Sequence, residues 1–312
     1  MSDGKKIAIL KEIFGSYYKS NDEIIFSCPK CDHHKKKLSI NVNKNVFKCW
    51  VCDYSGSSLR RLIRRYGNQK HRIAWSKLVN EIDIASFADK LFPAKETEIE
   101  QTISLPKEFI SLVNKNLPYS SLYPLNYLKS RGILKEDIIR WKIGYCMEGE
   151  YKGRIVIPSF GLTGHCNYFT ARTFTDDWKK YFNPPISRDI IFNHLFLNFD
   201  EDLSIVEGAF DAIVAGSNSV PLLGSSLREG SRLFQEIVKN DTPVYIALDP
   251  DAEKKATRLI NSLLDYGVEV YKINILPYSD VGEMTKEQFL KRKRNAEIIN
   301  KDNYLLQEIM KI

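Results

Sequence analysis

No apolar run in this chain approaches the roughly 18 residues that mark a membrane span, so a spanning helix is not expected. After Lys5-Lys6 the N-terminus offers only four consecutive apolar residues, too few for a secretory signal, and a cytoplasmic location is expected. A Gly-x-x-x-x-Gly-Lys-Ser/Thr phosphate loop is missing, which excludes a motor-type ATPase. No Ser/His/Asp arrangement and no internal repeat stands out. Cysteine is scarce: there are six, and four of them form two Cys-x-x-Cys pairs. Cys146 and Cys166 stand alone and read as small buried hydrophobes.

What is present is distributed unevenly. The 312 residues suffice for two or three domains. From Met1 to Lys95, 19 Lys/Arg face 9 Asp/Glu, a net of +10. From Glu96 to Ile312 the ratio is 27 to 30, a net of −3, so the chain's +7 comes wholly from its first third. A basic module joined to a module with acidic sites suits a protein whose first part holds a polyanion and whose second works on phosphates through metals.

The basic module carries Cys28-Pro-Lys-Cys31 and, after 17 intervening residues, Cys49-Trp-Val-Cys52. Each pair turns two thiolates toward one metal, and two pairs complete a tetrahedron. Two disulfides or a redox pair are the alternatives, and disulfides do not suit a chain without a secretory signal. A closed Cys₄ site has no open position for chemistry, so a structural zinc is expected, with His33 and His34 outside it. Leu38–Val42 and Val46–Lys48 read as a hairpin carrying the second pair. Ile7–Tyr18 reads as a short helix. Lys35-Lys36-Lys37, Lys44 and Lys48 alternate with Phe26, Phe47, Trp50 and Tyr54, a pattern that suits single-stranded nucleic acid; packing of the zinc core is the competing role for at least two of these rings. A helix capped by Gly56-Ser57-Ser58 presents Arg60, Arg61, Arg64 and Arg65, either to nucleic acid or to solvent.

The densest chemistry lies in Leu203–Glu283. Apolar runs at Leu203–Val206, Val220–Leu223, Val244–Leu248 and Val268–Leu276 read as strands. Ala209–Ala215, Glu229–Lys239 and Ala252–Tyr266 read as helices between them. This alternation predicts βαβ units and a parallel sheet. The C-terminal ends of parallel strands share one edge, where open α/β sheets bind ligands. Glu207, Asp211, Asp249, Asp251, Asp280 and Glu283 follow these runs, so Glu207, Asp249 and Asp280, up to 73 positions apart, converge. Converging carboxylates repel unless cations lie between them, and Mg²⁺ suits such a set. Each acid also has a plainer role. Asp211 can complement a helix dipole, Asp251 can cap the helix at Ala252, and Glu207 can be a solvated strand end.

Between the modules, Pro93–Pro106 reads as a linker. Ser121–Gly132 and Lys135–Trp141 read as helices, and Gly153–Phe160, Cys166–Phe174 and Tyr181–Phe182 as strands carrying Arg154, Arg172, Lys179, Lys180 and, after them, Arg188. The run Lys291-Arg-Lys-Arg294 reads as a solvated helix face within a helical tail to Ile312.

Leu203–Glu283 resembles a TOPRIM domain, in which one strand ends in Glu-Gly-x-x-x-Asp or a close variant and another in Asp-x-Asp. Glu207-Gly208-Ala209-Phe210-Asp211 has the spelling common in primases, and Asp249-Pro250-Asp251-Ala252 the Asp-x-Asp followed by a small residue. Asn126–Gly132 and Ile143-Gly144-Tyr145 resemble the opening of the primase polymerase core. Gly153–Pro158 and Ala171-Arg172 resemble its basic subdomain, and Lys180–Pro185 its Lys-Tyr-x-Asn-x-Pro signature. With the zinc ribbon, nearly the whole chain resembles bacterial-type DNA primases, particularly short phage-encoded ones.

The resemblance implies an α/β chain, α+β overall: a Cys₄ zinc ribbon at 1–95, a linker at 96–106, a mixed α+β basic subdomain at 107–200, a TOPRIM-like parallel sheet at 201–285 and a short helical tail at 286–312. It implies synthesis of short RNA primers on single-stranded DNA from ribonucleoside triphosphates, in a bacterial or phage-infected cytoplasm beside a replicative helicase. Glu207, Asp211, Asp249, Asp251 and Asp280 would be catalytic. Glu207, Asp249, Asp251 and Asp280 would hold Mg²⁺ or Mn²⁺, Glu207 serving either as ligand or as general base. Cys28, Cys31, Cys49 and Cys52 would hold Zn²⁺. Arg154, Arg172, Lys180, Tyr181 and Asn183 would hold template, primer and incoming nucleotide. The chain departs from the family in its all-cysteine zinc site, and in Asp280-Val-Gly-Glu283 where Asp-Pro-Asp is usual. It is also expected to lack a helicase-binding domain after the sheet. The rival functions are a TOPRIM nuclease, a topoisomerase (for whose strand-passage domain the chain is too short) and a non-catalytic single-strand-binding or helicase-adaptor protein.

Overall fold

The computed structural model describes residues 2–56, 58–79, 88–93, 100–224 and 227–299. It forms two compact units, Met1–Phe87 and Ala88–Ile312. Among the described residues no helix is long and apolar enough to cross a membrane.

In the first unit, α1 (Ser2–Phe14) precedes five strands: β1 (Tyr18–Ser20), β2 (Glu23–Phe26), β3 (Leu38–Asn41), β4 (Val46–Cys49) and β5 (Ser55–Gly56). They pair antiparallel in sequence order, a meander larger than the single hairpin expected. The expected hairpin is its centre. Asn45 takes a left-handed φ of 57°, and Asn41 Oδ1 accepts the Lys44 N–H at 2.9 Å, an Asx-type turn. The first helix ends four residues before the expected Tyr18 because Gly15 (φ 78°) adopts the left-handed stop and donates back to the Lys11 carbonyl. Two helices follow, α2 (Leu59–Tyr66) and α3 (Gln69–Val79). Ser58 caps α2, its hydroxyl accepting the Arg60 N–H, while Leu59, Leu62 and Ile63 turn one stripe inward. Ser57 lies outside the described residues.

The second unit contains two sheets. After α4 (Ala88–Leu91), β6 (Ile110–Ser111), α5 (Leu122–Ser130) and α6 (Lys135–Arg140) come β7 (Gly144–Cys146), β8 (Arg154–Phe160) and β9 (Cys166–Thr173). The strands form an antiparallel sheet in the order β6-β7-β8-β9. Tyr181 adds only an isolated bridge to Arg172, where a further strand was expected. The chain then runs β10 (Leu203–Val206), α7 (Ala209–Ala215), β11 (Ser219–Pro221), α8 (Arg232–Asn240), β12 (Val244–Ala247), α9 (Glu253–Asp265), β13 (Val270–Lys272), α10 (Lys286–Arg294) and β14 (Glu297–Ile298). The sheet order is β11-β10-β12-β13-β14. The first four strands are parallel, as the alternation required. Because the chain goes from β10 outward to β11 and back across to β12, the direction of winding reverses between β10 and β12.

The edge strand β14 corrects the expected all-helical tail. Helix α10 ends at Asn295 with Lys291–Arg294 in its last turn, where cations favour the helix dipole. Glu297 and Ile298 then pair antiparallel with β13. Residues 300–312 of that tail lie outside the described residues. Phe234 of α8 is fully buried against Tyr266 and Phe92, with ring centres 5.2 and 6.5 Å away. Phe234→Ala should therefore cost about 3–5 kcal/mol in equilibrium urea unfolding; a loss under about 1 kcal/mol would contradict this packing.

Candidate active site and metal centres

In the first unit the two Cys-x-x-Cys turns meet. The four Sγ atoms lie within 4.8 Å of one another, with Cys28–Cys52 and Cys31–Cys49 each at 3.8 Å. A tetrahedron with bonds of about 2.3 Å has edges of about 3.8 Å, whereas a disulfide needs about 2.05 Å. The cluster therefore fits a structural zinc. His33 and His34 stack on each other, ring centres 4.1 Å apart, and are not part of it. Of the four rings considered for base stacking, Phe26, Phe47 and Tyr54 are buried in the small core. Trp50 alone is presented to solvent, 63% exposed, with the Lys48 ammonium 4.9 Å from its ring centre. Arg61 and Arg65 of α2 lie over Tyr54, each at 5.8 Å.

In the second unit the acids gather where the winding reverses. Glu207 leaves the end of β10, and Asp249 follows β12 after Leu248; the two strands are neighbours, Val206 pairing with Ala247. Asp280 opens the 3-10 turn Val281–Glu283, which packs on α7. Glu207 Oε1, Asp249 Oδ1 and Asp280 Oδ1 are each buried without a hydrogen-bond partner. Burial, and then the charges of Asp211, Glu207, Asp280 and Asp251, push the Asp249 carboxyl up to about 7. Among the described residues, however, only the cysteines are drawn together to a distance at which all can ligate one ion. The acids face one another without closing to that distance, as mutually repelling carboxylates do.

The remaining acids divide by role. Asp211 is buried in the first turn of α7, and both its oxygens are used: Oδ2 accepts the Gly208 N–H at 2.8 Å and Oδ1 the Gly282 N–H at 2.9 Å. It fastens the loop carrying Glu207 to the turn carrying Asp280, a positioning role. Burial, then Asp280, raises its carboxyl to about 6, although the two amides oppose this. Asp251 is exposed in the 3-10 turn Pro250–Ala252. It does not cap α9, whose N-cap is Ala252. Glu283 is exposed and turns back to accept the Ser279 N–H and hydroxyl, both at 2.8 Å, which removes it from the acid set.

The basic side meets this edge through Arg172, whose Nε donates to Tyr127 Oη at 2.7 Å and whose Nη1 donates to Tyr181 Oη at 2.9 Å. A Cβ on Gly208 would lie 3.9 Å from that Tyr181 oxygen, so Tyr181 stands directly over the Glu207-Gly208 turn. Lys180 is exposed. Two of the expected binding residues are engaged within the protein. Arg154 is buried, and its guanidinium is occupied by Asp177 Oδ2 at 2.5 Å and the Lys179 carbonyl at 2.9 Å, so it braces the 177–180 loop. Asn183 Oδ1 accepts the Ala171 N–H at 3.0 Å and likewise holds backbone.

Three residues went unassigned in sequence. A Cβ on Gly282 would lie 3.4 Å from Arg131 Nη2 and 3.1 Å from Asp280 Oδ1, which places the Arg131 guanidinium beside the acids. Lys255 Nζ is 3.7 Å from Glu207 Oε2. Tyr127 orients Arg172. Arg131 and Tyr127 sit in the segment that carries the primase resemblance, which was their available signal; Lys255 had none.

Two outcomes follow. Protein purified without chelator should carry about one zinc per chain, and Cys49→Ser should lose it together with the fold of the first unit; retention of stoichiometric zinc in atomic emission would refute the site. In metal-free protein, the raised Asp249 carboxyl makes folding more favourable when protonated. Stability should be highest near its ordinary value of 3.8, fall as pH rises through about 7, and fall less in Asp249→Asn. Urea midpoints that do not change between pH 5 and 8 would contradict this.

No family model matches the chain. Its sequence is similar to DNA primase of Thermotoga maritima, 26% identical over 312 residues, covering 84% of this chain and 54% of that one. It is also similar to DNA primase of Helicobacter pylori, 22% identical over 320 residues, covering 85% and 56%. The fold is similar to a DnaG primase catalytic domain solved with single-stranded DNA, with a TM-score of 0.50 at 17% identity over 73% of this chain and 82% of that one. The chain spans about half the length of the primases it matches in sequence. It is a homologue of the bacterial DNA primases.

Proposed function

We propose that the chain is a template-dependent RNA-primer polymerase acting on single-stranded DNA. The observation that carries this is the set of three buried carboxylate oxygens, on Glu207, Asp249 and Asp280, that lack hydrogen-bond partners at one sheet edge facing Arg131, Arg172 and Tyr181. Unpartnered buried acceptors are costly, and oxygen donors of this kind fit Mg²⁺ or Mn²⁺. Glu207, Asp249 and Asp280 would hold the ions, with exposed Asp251 completing the set. Bound there, such ions neutralise charge developing on phosphate and activate a hydroxyl.

The reaction is attack of a primer 3′-hydroxyl on the α-phosphate of a ribonucleoside triphosphate, with pyrophosphate leaving. Arg131, Arg172 and Lys180 bind phosphate oxygens. Tyr127 and Tyr181 fix the Arg172 guanidinium so that no reorganisation is needed as charge builds. Asp211 keeps the Glu207 and Asp280 segments in register. The zinc unit, through Trp50, Lys48 and its net positive charge, selects where on the single strand synthesis starts. A replicative helicase is the expected partner. Incubation with single-stranded DNA, Mn²⁺ and labelled ribonucleotides should yield short RNA, and Asp249→Asn should lower the rate by about 10²- to 10³-fold or more. Degradation of the DNA in place of RNA synthesis would make the chain a nuclease.

A further inference from the structure

Beside the basic sheet lies an open cleft of about 530 Å³ that the acid edge does not use. Its volume is that of a small-molecule site. Tyr123, Asn126 and Tyr127 form one wall, and Met147, Phe174 and Thr175 the other. The helical wall has a register. Within α5, Tyr123 and Tyr127 are four residues apart and share one face. Exposure falls inward along the pair, with Tyr123 61% exposed and Tyr127 half-buried. The inner end is fixed: Tyr127 Oη takes the Arg172 Nε–H at 2.7 Å, and Arg172 reaches the Tyr181 hydroxyl above the Glu207 turn.

We propose that Tyr123 and Tyr127 are a stacking ladder for the unpaired bases of a single nucleic-acid strand, leading them from the surface to the acid edge; this rests on the polymerase function proposed above. The chemistry of the cleft selects a base over a phosphate or a charged peptide. Its walls are rings, a thioether and neutral polar groups. Among the described residues no charged side chain lines it, so nothing in its walls binds a phosphate. A base is flat, uncharged and polar at its edge, which matches aromatic faces lined with an amide and a hydroxyl. Exposed tyrosines with two side-chain torsions lose little entropy on stacking. The cation sits at the inner end, on Arg172, where the strand's backbone approaches the site of transfer.

The test uses the full chain and an oligodeoxynucleotide carrying 2-aminopurine, read by anisotropy and by quenching of the analogue. Tyr123→Ala should weaken binding about five- to a hundredfold, the loss of one stacked base. Tyr123→Phe should restore both affinity and quenching, because the ring and not the hydroxyl makes the contact. The salt slope of binding should be the same in all three proteins, since no phosphate contact is removed. The ladder is overturned if Tyr123→Ala binds as tightly as wild type, if Tyr123→Phe is as weak as Tyr123→Ala, or if the salt slope falls. RNA synthesis by the same wild-type protein separates failure of the ladder alone from failure of the polymerase function, which would take the ladder with it.

Discussion

The structure is organised by a repulsion. A parallel sheet sends the C-terminal ends of its strands to one edge; Glu207 and Asp249 follow two of those ends, and Asp280 opens the 3-10 turn in the segment after a third. Like charges in a partly dry site oppose their own convergence: burial first, and then the neighbouring acids, push the Asp249 carboxyl up to about 7. The acids can be held there because the fold around them leaves little choice. The β10 and β12 registers are fixed by Leu203, Ile205, Val244 and Ile246, buried in a sheet covered on both faces, and a slip by one residue would put buried Ser204 where Leu203 and Ile205 pack.

Local interactions serve that constraint. Asp211 is the clearest case, because it resembles its neighbours in sequence and differs from them in function. Its oxygens are spent on two backbone amides 74 residues apart, Gly208 and Gly282, so it tolerates burial that an unpartnered acid does not. Arg154 is its counterpart on the basic side, with a charged group buried in order to brace a loop. Arg172 differs from Arg154 because phenol oxygens hold it and, among the described residues, no carboxylate pairs with it, so its charge is directed toward the acid edge.

The first unit solves a different problem. It is small, and burial of Phe26, Phe47 and Tyr54 together with the sulfur cluster supplies a core that its size would otherwise make marginal. That use of its rings leaves Trp50 as the exposed aromatic of the zinc knuckles.

The sequence by itself determined the alternation of strand and helix from Leu203 to Asp265, the parallel pairing, the Cys₄ spacing and the positions of Glu207, Asp249 and Asp280, because period, spacing and turn chemistry are local properties. The antiparallel edge strand after α10 was hidden because two residues carry no periodicity. Which acid keeps an unpartnered buried oxygen and which spends its oxygens on backbone amides, and which arginine faces the acid edge and which a loop, was decided only by the tertiary structure. Residue type sets what a side chain can bind, but the partner that reaches it first comes from a distant part of the chain: the Gly282 amide for Asp211, Asp177 for Arg154 and Tyr127 for Arg172.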